Sequence, residues 1–126
     1  MIRVALRVLV GLAGVLAILV ALRLWMDPVE PAARLGLVAR GSLGLATLRA
    51  DVAGFFGAAG LLSLLAAIRS RGGLLTAPLL LIGLALTGRV ITVLMSGYAP
   101  EMLQPMVIEA VLLVILAAGR RGLSRG

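Results

Sequence analysis

Four ionisable residues lie inside long apolar stretches of the chain, where charged side chains can form ion pairs, bind a ligand or carry protons. They are Arg49, Asp51, Arg89 and Glu109. Two guanidinium groups and two carboxylates could form a neutral ion-pair cluster, hold the polar head of an amphiphile, or carry protons. A charge at the centre of a membrane helix costs about 2.5–3.5 kcal/mol on insertion scales, so such residues normally face other helices and pair. The sequence therefore predicts a polar cluster or ligand site at these four residues.

The composition explains why such charges need partners. Of the 126 residues, 62% are hydrophobic and only 13% are charged, and the mean hydropathy is +1.18. A soluble domain has about 25% charged residues, so this balance indicates an integral membrane protein. There is no Cys and no His, which excludes disulfides and thiolate catalysis and removes the usual haem and zinc ligands. We expect no catalytic motif, no metal site and no cofactor.

The apolar residues fall into four segments, each long enough to cross a bilayer as a helix, at about 4–24, 47–68, 74–94 and 102–118. Turns containing proline, glycine or arginine separate them. The sequence thus predicts an all-α fold: a four-transmembrane-helix antiparallel bundle forming one integral membrane domain over residues 1–126. The segment 32–45 predicts either a short interfacial helix between helices 1 and 2 or an extension of the second span.

The arginines predict the orientation of this bundle. One end carries Arg3, Arg7, Arg69, Arg71, Arg120, Arg121 and Arg125, and the other carries Arg23, Arg34 and Arg40. Because arginine accumulates on the cytoplasmic side of short loops, both termini are expected to be cytoplasmic, in a bacterial inner (plasma) membrane. The net charge of +7 does not indicate nucleic acid as a partner, since the basic residues lie at span ends and only four aromatic residues are present.

This topology places the four ionisable residues in one layer, roughly 3–10 Å below the outer surface. Arg49 and Asp51 are about 200° apart on a helix, so they cannot both face the same neighbour. We expect Arg89 and Glu109 to pair across adjacent helices, with Asp51 or Arg49 completing the network. Two interpretations remain open: a device that locks the helices in register, and a binding pocket.

Small residues at spacings of three and four predict close helix packing in the second and third spans. They are Gly54, Gly57 and Gly60, and the pairs Gly83 with Thr87 and Gly88 with Thr92. Trp25 and Tyr98 are predicted to anchor the outer interface, where amphipathic rings normally lie.

A family resemblance follows from short motifs in these spans. The motifs are Leu48-Arg49-Ala50-Asp51 with Gly54, Gly88-Arg89 in the third span, and Glu109 in the fourth. Together with Trp25-Met26-Asp27-Pro28, this pattern resembles the bacterial four-helix membrane family catalogued as domain of unknown function 4345, from that motif to the end of the fourth span. The resemblance implies an inner-membrane protein of four helices, and it implies no particular activity.

The sequence favours a non-enzymatic protein, either an accessory subunit or a bundle that binds a lipid-like ligand. Its expected partners are membrane lipids, and a larger membrane complex or a second copy of the chain. An intramembrane enzyme that uses Asp51 or Glu109 as acid or base on a lipophilic substrate is one alternative. A small proton-coupled transporter with Glu109 as the carrier is another.

Overall fold

The computed structural model describes residues 1–123, and the helical fold is all-α as predicted. The helices are α1 (Ile2–Met26), α2 (Val29–Arg34), α3 (Gly41–Thr47), α4 (Ala53–Arg69), α5 (Thr76–Ser96) and α6 (Leu103–Leu123). A π-helical turn, Leu48–Val52, joins α3 to α4, and the 3₁₀ turns Gly72–Leu75 and Pro100–Met102 precede α5 and α6. Four helical stretches are long and apolar enough to cross a membrane: Ile2–Met26, Gly41–Arg69, Gly72–Ser96 and Pro100–Leu123.

The connection between the first two spans combines parts of both predicted alternatives. A short helix, Val29–Arg34, lies between the first two spans, and the second span extends back to Gly41, ahead of residue 47. Gly41 has φ +62, a left-handed conformation that glycine adopts without steric cost, so the chain reverses there. Pro31 lies in the first turn of α2, where its missing N–H would have had no intrahelical partner.

All four spans meet in one core near the end of the bundle where α1 begins and α4 ends, which we call the basic end. The buried members of this core come from all four spans: Val10, Ala66, Ala67, Leu75, Ile82 and Leu116. Gly119 of α6 makes the tight fit possible, because a Cβ there would lie 2.6 Å from Cγ2 of Val10. The bundle is therefore closed at the basic end.

Helices α1 and α4 continue as a tight pair toward the opposite end. Gly14 and Gly60 face each other so closely that a Cβ on either one would lie 2.8 Å from the carbonyl oxygen of the other. Further along, Ala21 and Leu24 of α1 bury Ala53 of α4 in a second, smaller core. Side-by-side backbone packing of this kind is what small residues permit in membrane helices.

Arginines at the basic end hold the last turn of α4 in place. Arg7 donates from Nε to the carbonyl of Ala67 at 2.8 Å and from Nη2 to that of Ile68 at 3.1 Å. Carbonyls at a helix C-terminus lack intrahelical donors, so these bonds replace missing ones. Arg3 donates from Nη2 to Oγ of Ser70 at 2.8 Å. Arg125, which the sequence assigns to the same end, lies outside the described residues.

The opposite end carries both signs of charge, and we call it the mixed-charge end. Glu30 accepts hydrogen bonds there from Arg23 at 3.1 Å and from Arg34 at 2.9 Å. All three side chains are more than half exposed, so this triad contributes little stability. Its significance is electrostatic, because it neutralises arginines that otherwise would add positive charge to this end.

Candidate functional site

Arg89 and Glu109 form the ion pair expected between adjacent helices. The Nε–H of Arg89 donates to Oε1 of Glu109 at 2.8 Å. The Glu109 side chain is 14% exposed and that of Arg89 is 34% exposed. The carboxylate is thus largely covered, while part of the guanidinium remains accessible from outside the protein.

The α5–α6 hairpin places the two side chains at one level. Arg89 lies eight residues before Gly97, and Glu109 lies nine residues after Pro100. Gly97 has φ +93, which glycine alone adopts readily, so α5 ends sharply and α6 returns alongside it. Similar distances from a tight turn bring two antiparallel helices into register at these positions.

The half of this hairpin that carries the pair is not covered by the other helices. Buried residues of α5 end at Ile82, and those of α6 begin at Leu116. Between these positions and the turn, the hairpin presents exposed apolar side chains to its surroundings: Leu84, Val90, Ile91, Leu94, Val107, Ile108, Val111 and Val114. The ion pair therefore lies in this uncovered half of the α5–α6 hairpin, which we call the open arm, and not inside a closed bundle.

The guanidinium of Arg89 has hydrogen-bond donors that no described residue accepts. It carries five N–H groups, of which Glu109 accepts one, from Nε. Within residues 1–123 neither terminal nitrogen has a hydrogen-bond partner. The hydrocarbon region of a membrane offers no water to satisfy such donors, so an acceptor from a bound molecule would stabilise them.

Arg49 and Asp51 do not complete the expected network. Arg49 is held at the end of α1, where its Nε–H donates to the carbonyl of Trp25 at 3.0 Å and its own carbonyl accepts from Nε1 of Trp25 at 2.9 Å. Asp51 is exposed, and no hydrogen bond or ion pair joins its side chain to any described residue. The cause is local: the last carbonyls of α1 need donors, and the π-helical turn directs Arg49 to one of them.

Replacing Trp25 with phenylalanine tests this reciprocal contact. The variant retains the ring but leaves the carbonyl of Arg49 without its side-chain donor, so we expect a loss of about 1 kcal/mol in the free energy of unfolding. Unfolding in mixed detergent micelles, followed by circular dichroism, measures it. Tyr98→Phe is the matched control, because the Tyr98 hydroxyl bonds to no described residue, and should leave stability unchanged. Equal stability of Trp25→Phe and the parent would contradict the expectation.

Contrary to the prediction, the glycine and threonine pairs of α5 do not bring another helix into close contact. Thr87 donates to the carbonyl of Gly83 at 2.8 Å, and Thr92 to that of Gly88 at 2.9 Å. A Cβ on Gly88 would meet no atom within 4 Å, and one on Gly83 would reach only Cδ2 of Leu113 at 3.9 Å. These hydroxyls bond within their own helix, which satisfies them in an apolar environment without a partner helix.

Comparisons of this chain with family models, with curated proteins and with solved structures found no match. The resemblance to the domain-of-unknown-function family 4345 therefore stays a prediction. Within the part of the chain that the structure describes, no three metal-ligating side chains come together. The chemistry that this site offers is that of one largely covered carboxylate and one guanidinium with unused donors.

Proposed function

We propose that this chain is a small multi-pass protein of the bacterial inner membrane that binds a lipid-like molecule without catalysis, with both termini in the cytoplasm. The orientation rests on the arginine-rich basic end, since short basic loops stay on the cytoplasmic side. The single observation that carries the binding role is the unused donors of Arg89 beside Glu109, on the open arm of the α5–α6 hairpin.

The chemistry of the ligand follows from its surroundings. Glu109 fixes the guanidinium through Nε, so the two terminal nitrogens are oriented for a molecule with oxygen acceptors, such as a phosphate, carboxylate or carbonyl head. Around them lie exposed apolar side chains, among them Val90 and Val107, against which an apolar tail could pack. An amphiphile that positions its head below the membrane surface fits both requirements.

Native mass spectrometry of the untagged protein, extracted gently from its own membrane, tests this role. We expect a lipophilic small molecule to remain bound to the parent and to be lost from Arg89→Lys. Lysine keeps a positive charge for Glu109 but removes the planar pair of terminal nitrogens. Arg40→Lys is the matched control, because Arg40 is exposed at the mixed-charge end and its side chain bonds to no described residue.

Two outcomes would contradict the proposal. A larger protein at fixed stoichiometry would make the chain an accessory subunit, with the open arm of the hairpin as its interface. A bound molecule retained equally by both lysine variants would separate binding from Arg89. An enzyme or a proton-coupled transporter would instead consume a lipid or change proton flux in liposomes, and neither alternative has a specific contact in its favour.

A further inference from the structure

The formal charge of this protein is concentrated at one end. The five acidic residues are Asp27, Glu30, Asp51, Glu101 and Glu109, and none of them belongs to the basic end. Five arginines likewise lie outside the basic end: Arg23, Arg34, Arg40, Arg49 and Arg89. These ten charges cancel, so the other seven arginines account for the whole net charge of +7, and six of them are described residues at the basic end.

The structure brings several of these arginines to the turn between α4 and α5. Arg3 reaches it from α1 and bonds to Ser70, while Arg120 reaches it from α6 and donates from Nε to Oγ1 of Thr76 at 3.0 Å. Arg69 and Arg71 belong to the turn itself. Three separate parts of the chain thus bring guanidinium groups to the surface around this turn, which we call the rim.

Neutral acceptors take part in holding arginines at this rim. Ser70 and Thr76 contribute hydroxyls, and Ala67 and Ile68 contribute carbonyls. Such bonds fix the position of a guanidinium group, and a neutral acceptor does not cancel its charge. Guanidinium groups held close together repel one another, most strongly where lipid lowers the dielectric constant, so a bound anion would stabilise the rim.

Three arginines of the rim have side chains available for such an anion. Arg69, Arg71 and Arg121 are exposed, and within residues 1–123 their side chains make no hydrogen bond or ion pair. Each guanidinium can donate two parallel hydrogen bonds to a phosphate. All three lie at the ends of membrane-spanning helices, the level at which lipid headgroups surround a protein.

We propose that this rim binds the phosphodiester headgroups of anionic phospholipids, with Arg69, Arg71 and Arg121 as the contacting residues. Arg3 and Arg120 position the turn between them. A lipid is the favoured occupant because the turn Gly72–Leu75 is short and directly continuous with apolar helices, so a headgroup reaches it without leaving the bilayer. The site lies at the opposite end of the molecule from Arg89 and does not depend on it.

Thermal unfolding of the delipidated full chain in neutral detergent tests the proposal. We expect phosphatidylglycerol to raise Tm by about 4 °C or more over the same amount of phosphatidylcholine. The triple variant Arg69→Gln/Arg71→Gln/Arg121→Gln should lose this difference. The control Arg23→Gln/Arg34→Gln/Arg40→Gln removes the same charge from the mixed-charge end and should keep it.

Several results would overturn the proposal. Equal loss in both triple variants would mean that only the total charge matters, and an unchanged difference in the basic triple would exclude these three residues. Inorganic phosphate that raises Tm as much as phosphatidylglycerol would indicate a site for free anions. A short RNA that stabilises the chain where phosphatidylglycerol does not would indicate a different partner. If the basic triple fails to fold, Arg71→Gln alone must reduce the difference, and an undiminished one counts against the proposal.

Discussion

Gly60→Ala is expected to lower the free energy of unfolding by about 3 kcal/mol, because α1 and α4 touch at their backbones there. The added Cβ would lie 2.8 Å from the carbonyl oxygen of Gly14, 2.8 Å from Cγ1 of Ile18 and 2.9 Å from the Ile18 nitrogen. Two of these atoms belong to the backbone and cannot rotate away, so α1 itself must shift. Detergent-induced unfolding followed by the emission of Trp25, the only tryptophan, measures the loss.

Gly54→Ala is the matched control for this variant. It makes the same exchange in the same helix, but a Cβ at Gly54 meets no atom within 4 Å. Its stability should stay the same or rise by about 0.5–1 kcal/mol, since alanine favours helix over glycine. Equal losses at both positions would show that the glycines act through helix conformation and not through the contact with α1.

The same two glycines show how far spacing predicts packing. The pattern Gly54, Gly57 and Gly60 indicates a helix that packs closely, and α4 does. Yet six residues turn a helix by about 600°, which leaves Gly54 and Gly60 about 120° apart, so they cannot face the same neighbour. Spacing alone cannot say which one touches α1, nor that Gly14, three residues after Gly11, completes the contact.

The ion pair was predictable and the wider network was not, for a physical reason. Arg89 and Glu109 lie on helices joined by a short turn, at matching distances from it, so depth and adjacency follow from the sequence. Arg49 and Asp51 lie in the π-helical turn Leu48–Val52, which widens the helix and changes the direction of every side chain in it. No residue type specifies a π-helical turn, and no local pattern indicates the donor that α1 needs at Trp25.

The sequence leaves the start of the second span open between residue 47 and an earlier extension, for a related reason. Ser42, Thr47 and Arg49 lower the hydropathy of its first turns, so the apolar run begins later than the helix does. The helix nevertheless extends to Gly41, and the Thr47 hydroxyl donates to the carbonyl of Leu43 at 3.0 Å. Bonds back to the same helix satisfy polar groups that hydropathy counts as unfavourable.

Removing either member of the Arg89 and Glu109 pair is expected to destabilise the protein by about 2–3 kcal/mol, because the remaining charge loses its counter-ion in an apolar region. Arg89→Leu and Glu109→Leu should each show this loss in detergent-induced unfolding. The double variant should regain most of it, since two apolar side chains at this level leave no charge unpaired. Additive losses in the double variant would mean that the two residues contribute separately and that the pair is not a unit.

The double variant also separates the two interpretations of the pair. If the pair only locks α5 and α6 in register, the leucine pair replaces it by packing, and a stable double variant behaves like the parent in every other respect. If Arg89 binds a ligand through its terminal nitrogens, the stable double variant lacks the bound lipophilic molecule that the parent retains. Restored stability together with a lost ligand would therefore assign the charges to binding, because the fold no longer needs them.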